Sequence, residues 1–162
     1  MTENTNIAVK IESYRPGQEV AISEFIRRVY DEFVANEYPE EGNRVFYDWI
    51  EPSKIAKRQQ KQNTLLVAVI DSLIVGMIEV RDTNIISLLF VDRQYQGRGI
   101  AKRLVDQSLR DCLRVNLHID RLRVHASPFS IPIYRKLGFV ETDVMQEEFG
   151  ITYLPMEMVI GE

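Results

Sequence analysis

The sequence predicts a mixed α/β fold with a β-sheet of about seven strands flanked by about four helices. Three observations carry that prediction. Residues 64–70, 73–81 and 85–91 are β-rich runs separated by only two or three residues. Connections that short make consecutive antiparallel hairpins, since a parallel crossover needs a dozen or more residues. The long helical pattern over 99–116 and the strand-like run 121–125 supply such a crossover, which is right-handed where chirality applies. Finally, Ile22, Phe25, Ile26, Val29, Tyr30, Phe33 and Val34 recur at intervals of three and four, marking one apolar face of a helix.

In chain order, residues 1–6 are polar and are expected to fray. Residues 7–14 alternate apolar and polar as a first strand, stopped by Arg15-Pro16-Gly17. A helix then runs from Glu19 to about Val34, and an acidic stretch with Pro39 and Gly42 breaks it. A less regular helical pattern covers roughly 43–60, with Pro52-Ser53 suggesting two pieces. The run 85–91 (IISLLFV) is apolar on both faces, as a strand in the sheet centre should be. Cys112 falls on the apolar face of the 99–116 helix and reads as core. A short helix around 130–137 closes at Gly138, and two last strands, about 139–148 and 151–159, turn at Gly150. Nothing Pro-, Gly- or Ser-rich interrupts residues 7–162, so a single domain is expected.

Composition narrows the function. The chain has 162 residues, 45% hydrophobic and 27% charged, which suits a globular fold and not a disordered one. A net charge of −4 argues against a nucleic-acid surface. The longest apolar run, Leu65–Ile70, is far short of the ~18 residues of a membrane span. The N-terminus lacks the order of a signal peptide, and one cysteine excludes an internal disulfide. The expectation is a cytoplasmic protein with no membrane or nucleic-acid partner.

The most informative segment leaves the 85–91 strand and opens the 99–116 helix. Gly97 and Gly99 let backbone pass close to a ligand, and the helix's unpaired N–H groups point into the same space. Arg93, Arg98, Lys102 and Arg103 against Asp92 give this turn a local charge of +3. The combination points to a phosphate ligand. A P-loop string G-x-x-x-x-G-K-[ST] does not occur, and Lys102 stands where a dinucleotide fingerprint needs its third small residue. The pyrophosphate of coenzyme A is the third candidate.

Gln96-Gly97-Arg98-Gly99-Ile100-Ala101 fits the pattern Q-x-x-G-x-[GA]. Leu88-Leu89-Phe90-Val91 precedes it, and Tyr134-Arg135-Lys136-Leu137-Gly138-Phe139 follows about 35 residues later. With the element order above, nearly the whole chain resembles the GNAT superfamily of acyl-CoA-dependent N-acetyltransferases. The resemblance implies a centrally splayed sheet and transfer of an acetyl group from acetyl-CoA to a small amine or a protein amine, with no metal. It implies that amides of Arg98, Gly99, Ile100 and Ala101 hold the pyrophosphate, with Gln96, Gly97 and Lys102 close by. Pantetheine would lie along Leu89, Phe90 and Val91, with the Val91 amide as donor to the thioester carbonyl. Tyr134 matches the tyrosine that protonates the departing thiolate; on packing grounds alone it reads as one more core aromatic. Ser127 and Ser130 stand where many members have asparagine and alanine, beside the pantetheine. Glu79 is the best-placed carboxylate for a general base, and otherwise a solvent-facing strand residue beside Arg81. Small members of the superfamily frequently form homodimers. A CoA-binding sensor or partner protein of the same fold is the alternative function.

GNAT acceptors sit between the first helices and the C-terminal hairpin, which would place Phe33, Tyr38 and Tyr153 at the substrate. Residues 31–51 carry seven carboxylates against Arg44, a net of −6, among five aromatics. Such a rim would attract a cationic amine. The same residues also read as a solvated helix face with its aromatics turned inward. His118 and His125, seven apart with no third ligand, do not suggest a metal site.

Overall fold

The computed structural model describes residues 8–61 and 63–160. The tail expected at 1–6 lies outside them. Strands β1 (Lys10–Ser13), β2 (Thr64–Ile70), β3 (Leu73–Arg81) and β4 (Ile85–Val91) form the antiparallel meander that the short turns demand. Asp71, Ser72, Asp82 and Thr83 all sit at positive φ, as tight hairpin turns require. Helix α4 (Ile100–Val115) crosses over to β5 (Arg121–Ala126), which lies parallel to β4. Strand β8 (Ile151–Val159) pairs antiparallel with β5 and carries the short β6 (Val140–Glu141) and β7 (Gln146–Glu148) on its other edge.

Two apolar clusters sandwich the sheet. On one face α4 and α5 (Ile131–Lys136) bury Ile100, Leu104, Val105, Cys112 and Tyr134 against Ile78, Val80, Leu122 and Val124. On the other, α1 (Glu19–Phe33) and α3 (Pro52–Arg58) bury Ile22, Ile26, Val29 and Ile55 against Val67, Met77 and Leu88. Cys112 is a buried free thiol, as expected. Burial pushes its pKa up, which makes it a poor nucleophile.

Several elements differ from the sequence reading. Among the described residues there are eight strands and five helices, against about seven and four expected. The irregular pattern at 43–60 resolves into α2 (Glu40–Trp49) and α3, with α2 beginning directly after Pro39. Glu40 and Glu41 in its first turn favour that start, because carboxylates there oppose the helix dipole. The strand expected at 139–148 is two pieces. Between them the Asp143 carboxylate accepts from the Val144 amide and the Gln146 side chain, a local bond that competes with the sheet ladder.

The feature that positions the site is the parting of β4 and β5. They pair only at Ile85↔Arg123 and Ile86↔Val124. At the same level β4 carries a bulge, since Glu79 faces Leu88 while Val80 faces Ile86, leaving Ser87 as the extra residue. A bulge bends its strand and increases the local twist, so β4 turns away from β5 there.

Candidate active site

Where the two strands part, a cavity of about 570 Å³ runs from the glycine turn to the β7–β8 hairpin. That volume suits a cofactor-sized ligand. Leu89, Phe90 and Val91 form one wall, α5 the other, and Phe33, Tyr38, Phe129 and Tyr153 the far end.

The turn is built to leave donors free. Gly97 and Gly99 have φ of 77° and 78°, where side chains are strained, and a Cβ at either would meet nothing within 4 Å. The space above both is therefore open. Gly99 begins α4 without a capping side chain, and the first turn of α4 holds no carboxylate. The leading amides of this helix, with its positive dipole end, face that space. Side-chain charge contributes less than the net +3 suggested. Arg93 pairs with Glu32 at 3.1 Å, Lys102 with Asp106 at 2.8 Å, and Arg103 donates to the Val9 carbonyl. The Arg98 guanidinium lies over the Tyr95 ring, and Arg98 does not line the cavity, whereas Gln96, Gly97, Gly99, Ile100, Ala101 and Lys102 do. Gln96 donates through Nε2 to the Val91 carbonyl at 3.1 Å, tying the turn to the strand end.

Tyr134 projects from α5 and is 5% exposed, edge-on to Phe139 with ring centroids 5.3 Å apart. Among the described residues its hydroxyl has no hydrogen-bond partner, yet no fully buried side-chain polar atom lacks one. The hydroxyl therefore opens onto the cavity that Tyr134 lines. Burial raises its pKa well above the ordinary phenol value, so it stays protonated at neutral pH. Ser127 and Ser130 also line the cavity. They bond mainly to each other, with Oγ atoms 2.9 Å apart and the Ser130 hydroxyl donating to the Ser127 carbonyl, which caps the turn before α5.

The far end is assembled from distant segments. Phe33 stacks on Phe129 at 4.9 Å, and the Phe129 amide donates to Glu37. The Tyr38 hydroxyl donates to the Thr152 carbonyl at 2.9 Å, and burial pushes its pKa up to about 12. Gly42 lies against the β7–β8 turn, where a Cβ would come within 3.1 Å of Ile151. Three of the five aromatics of residues 31–51 face the cavity, Trp49 is exposed, and none of the carboxylates in this stretch lines the cavity. Phe33, Tyr38 and Phe46 line the cavity; Asp31 bonds Tyr47, Asp48 pairs with Lys54, and Glu32 with Arg93. Of all carboxylates among the described residues, only Glu148 lines it.

A family model described as an acetyltransferase (GNAT) domain matches residues 34–160. The chain belongs to the GNAT acetyltransferases. It is an acetyltransferase, and its acetyl donor is acetyl-CoA. Among curated proteins, none matches the chain in sequence. Solved structures share the fold of this GNAT chain at low identity. A GCN5-related N-acetyltransferase from Rhodopseudomonas palustris is 20% identical, with a TM-score of 0.77 over 93% of this chain and 95% of its own. The PaiA N-acetyltransferase from Thermoplasma acidophilum, solved in complex with coenzyme A, is 18% identical, with a TM-score of 0.78 over 94% and 99%. A spermidine N-acetyltransferase chimera of SpeG from Vibrio cholerae and hSSAT is 17% identical, with a TM-score of 0.65 over 93% and 95%.

Glu79 is the expected site residue that this GNAT structure places elsewhere. It is 0% exposed, neither a cavity-lining base nor a solvent-facing residue. Arg58 of α3 grips both carboxylate oxygens at 3.0–3.2 Å, and the Gln59 side chain donates as well. With its lone pairs committed to a buried pair, Glu79 is corrected from base to structural anchor. Sequence reasoning also missed Asp92, counted there only as a charge. It is buried, accepts from the Gln94 amide, and pairs with Arg28 of α1 at 3.0 Å, fixing the start of the glycine turn. The Asp-x-Gln spacing before the turn was the available signal. Among the described residues no three His, Cys, Asp or Glu side chains converge as a metal site requires, and no helix is long and apolar enough to cross a membrane.

Proposed function

We propose that the protein transfers the acetyl group of acetyl-CoA to a primary amine by direct attack within a ternary complex, as a single domain of the cytoplasm. The observation that carries this reading is the Tyr134 hydroxyl, protonated, without a protein partner and open to the cleft. The turn amides from Gly97 to Lys102 take the pyrophosphate, and the pantetheine follows Leu89 to Val91. Strand geometry supports a donor at Val91. The Asp92 amide bonds the Val75 carbonyl on β3, so the amide one residue earlier points the other way, into the cleft. A donor there stabilises the oxyanion formed when the amine attacks. Tyr134 then gives its proton to the departing thiolate.

The acceptor end favours an amine on an apolar or aromatic body over a polyamine. Its walls are Phe33, Tyr38, Phe129 and Tyr153, and no acidic side chain of 31–51 lines it, Glu37 being bonded to the Phe129 amide. A thiol-release assay over an amine panel tests the reading. Arylalkyl and alkyl amines should release CoA faster than spermidine. An active enzyme unchanged by Tyr134→Phe would refute the acid role.

A further inference from the structure

The amine must lose a proton as it attacks, and Glu79 is sealed away from the cavity. Among the other ionisable side chains that line it are two lysines and several tyrosines, and ammonium groups and phenols are poor proton acceptors by their chemistry. Glu148 and His125 remain, both exposed at the rim; of the two, His125 stands where β4 and β5 part.

Its placement follows from the strand. Leu122, Val124 and Ala126 of β5 are buried in the cluster under α4 and α5. Alternation puts His125 on the opposite face, the side of α1, Tyr38 and the β7–β8 hairpin. It is the first β5 residue beyond the last rung shared with β4, Ile86↔Val124, so it stands where the cleft opens. Its ring stacks on Tyr153 at 4.4 Å with an interplanar angle of 18°. Among the described residues neither ring nitrogen has a hydrogen-bond partner. Tyr134 belongs to the cluster on the other face. An acid and a base thus flank the gap from its two faces, which gives the amine proton and the departing sulfur separate partners.

We propose that His125 is the general base, accepting the proton that the acceptor nitrogen sheds as it bonds to the acetyl carbon. The inference rests on the transfer reading above. The neutral amine forms the N–C bond, the C–S bond breaks, and the sulfur leaves with the Tyr134 proton. His125 ends with one proton more and Tyr134 with one fewer, and exchange with solvent restores both. Three charged or polar groups face the ring: Arg81 from β3, Glu148 from β7 and Tyr153 from β8. Burial and the Arg81 charge lower the imidazole pKa, while Glu148 partly opposes them. The ring is therefore neutral at pH 7 and able to accept, and its protonation on the acid side should slow the reaction.

The test is kcat against pH by thiol release, at saturating acetyl-CoA and amine, for the wild type, His125→Gln and His125→Phe. Phenylalanine keeps the stack on Tyr153 but has no nitrogen. Both variants should lose about a hundredfold in kcat at neutral pH, lose the acid limb that the wild type shows below about pH 6.5, and keep the full thermal stabilisation by acetyl-CoA. Retained turnover in His125→Phe, an acid limb surviving in both variants, or a limb removed by Glu148→Gln instead would overturn the proposal while leaving the transfer reading standing. A wild type that acetylates no amine, although acetyl-CoA stabilises it, would overturn both.

Discussion

Two buried polar side chains on opposite faces of the sheet have opposite surroundings. Beneath α3, every oxygen of Glu79 is occupied by Arg58 or Gln59, and the group is closed off from solvent and from the cavity. Beside α5, the Tyr134 hydroxyl has no protein partner and meets the open cleft. A buried polar group that the fold fully satisfies holds the fold together; one left unsatisfied at a cavity edge is held for something that enters. Burial alone does not separate the two cases, since Glu79 and Tyr134 are almost equally buried. The hydrogen-bond account does.

Four substitutions can break or sharpen that contrast. Glu79→Ala should have the largest effect, because it strands the Arg58 guanidinium against the sheet. Unfolding free energy should fall by about 3–5 kcal/mol in urea titration. Activity per folded molecule should stay near wild type, whereas a specific loss of kcat would return Glu79 to the chemistry. Tyr134→Phe should do the reverse, lowering kcat about a hundredfold and removing the alkaline limb above pH 10. The urea midpoint should barely move, since no protein hydrogen bond is lost. Gly99→Val forces a β-branched residue to a φ of 78° at the pyrophosphate turn. Strain of about 1–3 kcal/mol should weaken CoA binding tenfold or more by calorimetry. Phe33→Ala, at the far end of the same cavity, should raise the KM of the amine several-fold and leave that of acetyl-CoA unchanged. A matching rise in both would mean that the two ends do not bind separately.

The parts legible in the sequence are those written in one continuous segment. The meander was set by two turns too short for anything but hairpins, and the glycine turn by six consecutive residues between a strand and a helix. The helix that brings Tyr134 to the cavity was readable because Gly138-Phe139 follows it on the same short stretch. What was misread depends on distant partners. Glu79 is 21 residues from Arg58, and only the packing of α3 against β3 brings them together. The acidic run at 31–51 looked like a rim because its charges were visible and their partners were not. Tyr47, Lys54 and Arg93 take up Asp31, Asp48 and Glu32. His125 gave no signal in sequence beyond its alternation in β5, since its stacking partner lies 28 residues further on.

The most direct measurement is a crystal structure of the acetyl-CoA complex. The account predicts pyrophosphate oxygens on the amides between Gly97 and Lys102, the thioester carbonyl at the Val91 amide, and the sulfur within hydrogen-bond reach of the Tyr134 hydroxyl. A thioester lying elsewhere, with the Tyr134 hydroxyl turned from the sulfur and bonded to protein, would contradict it.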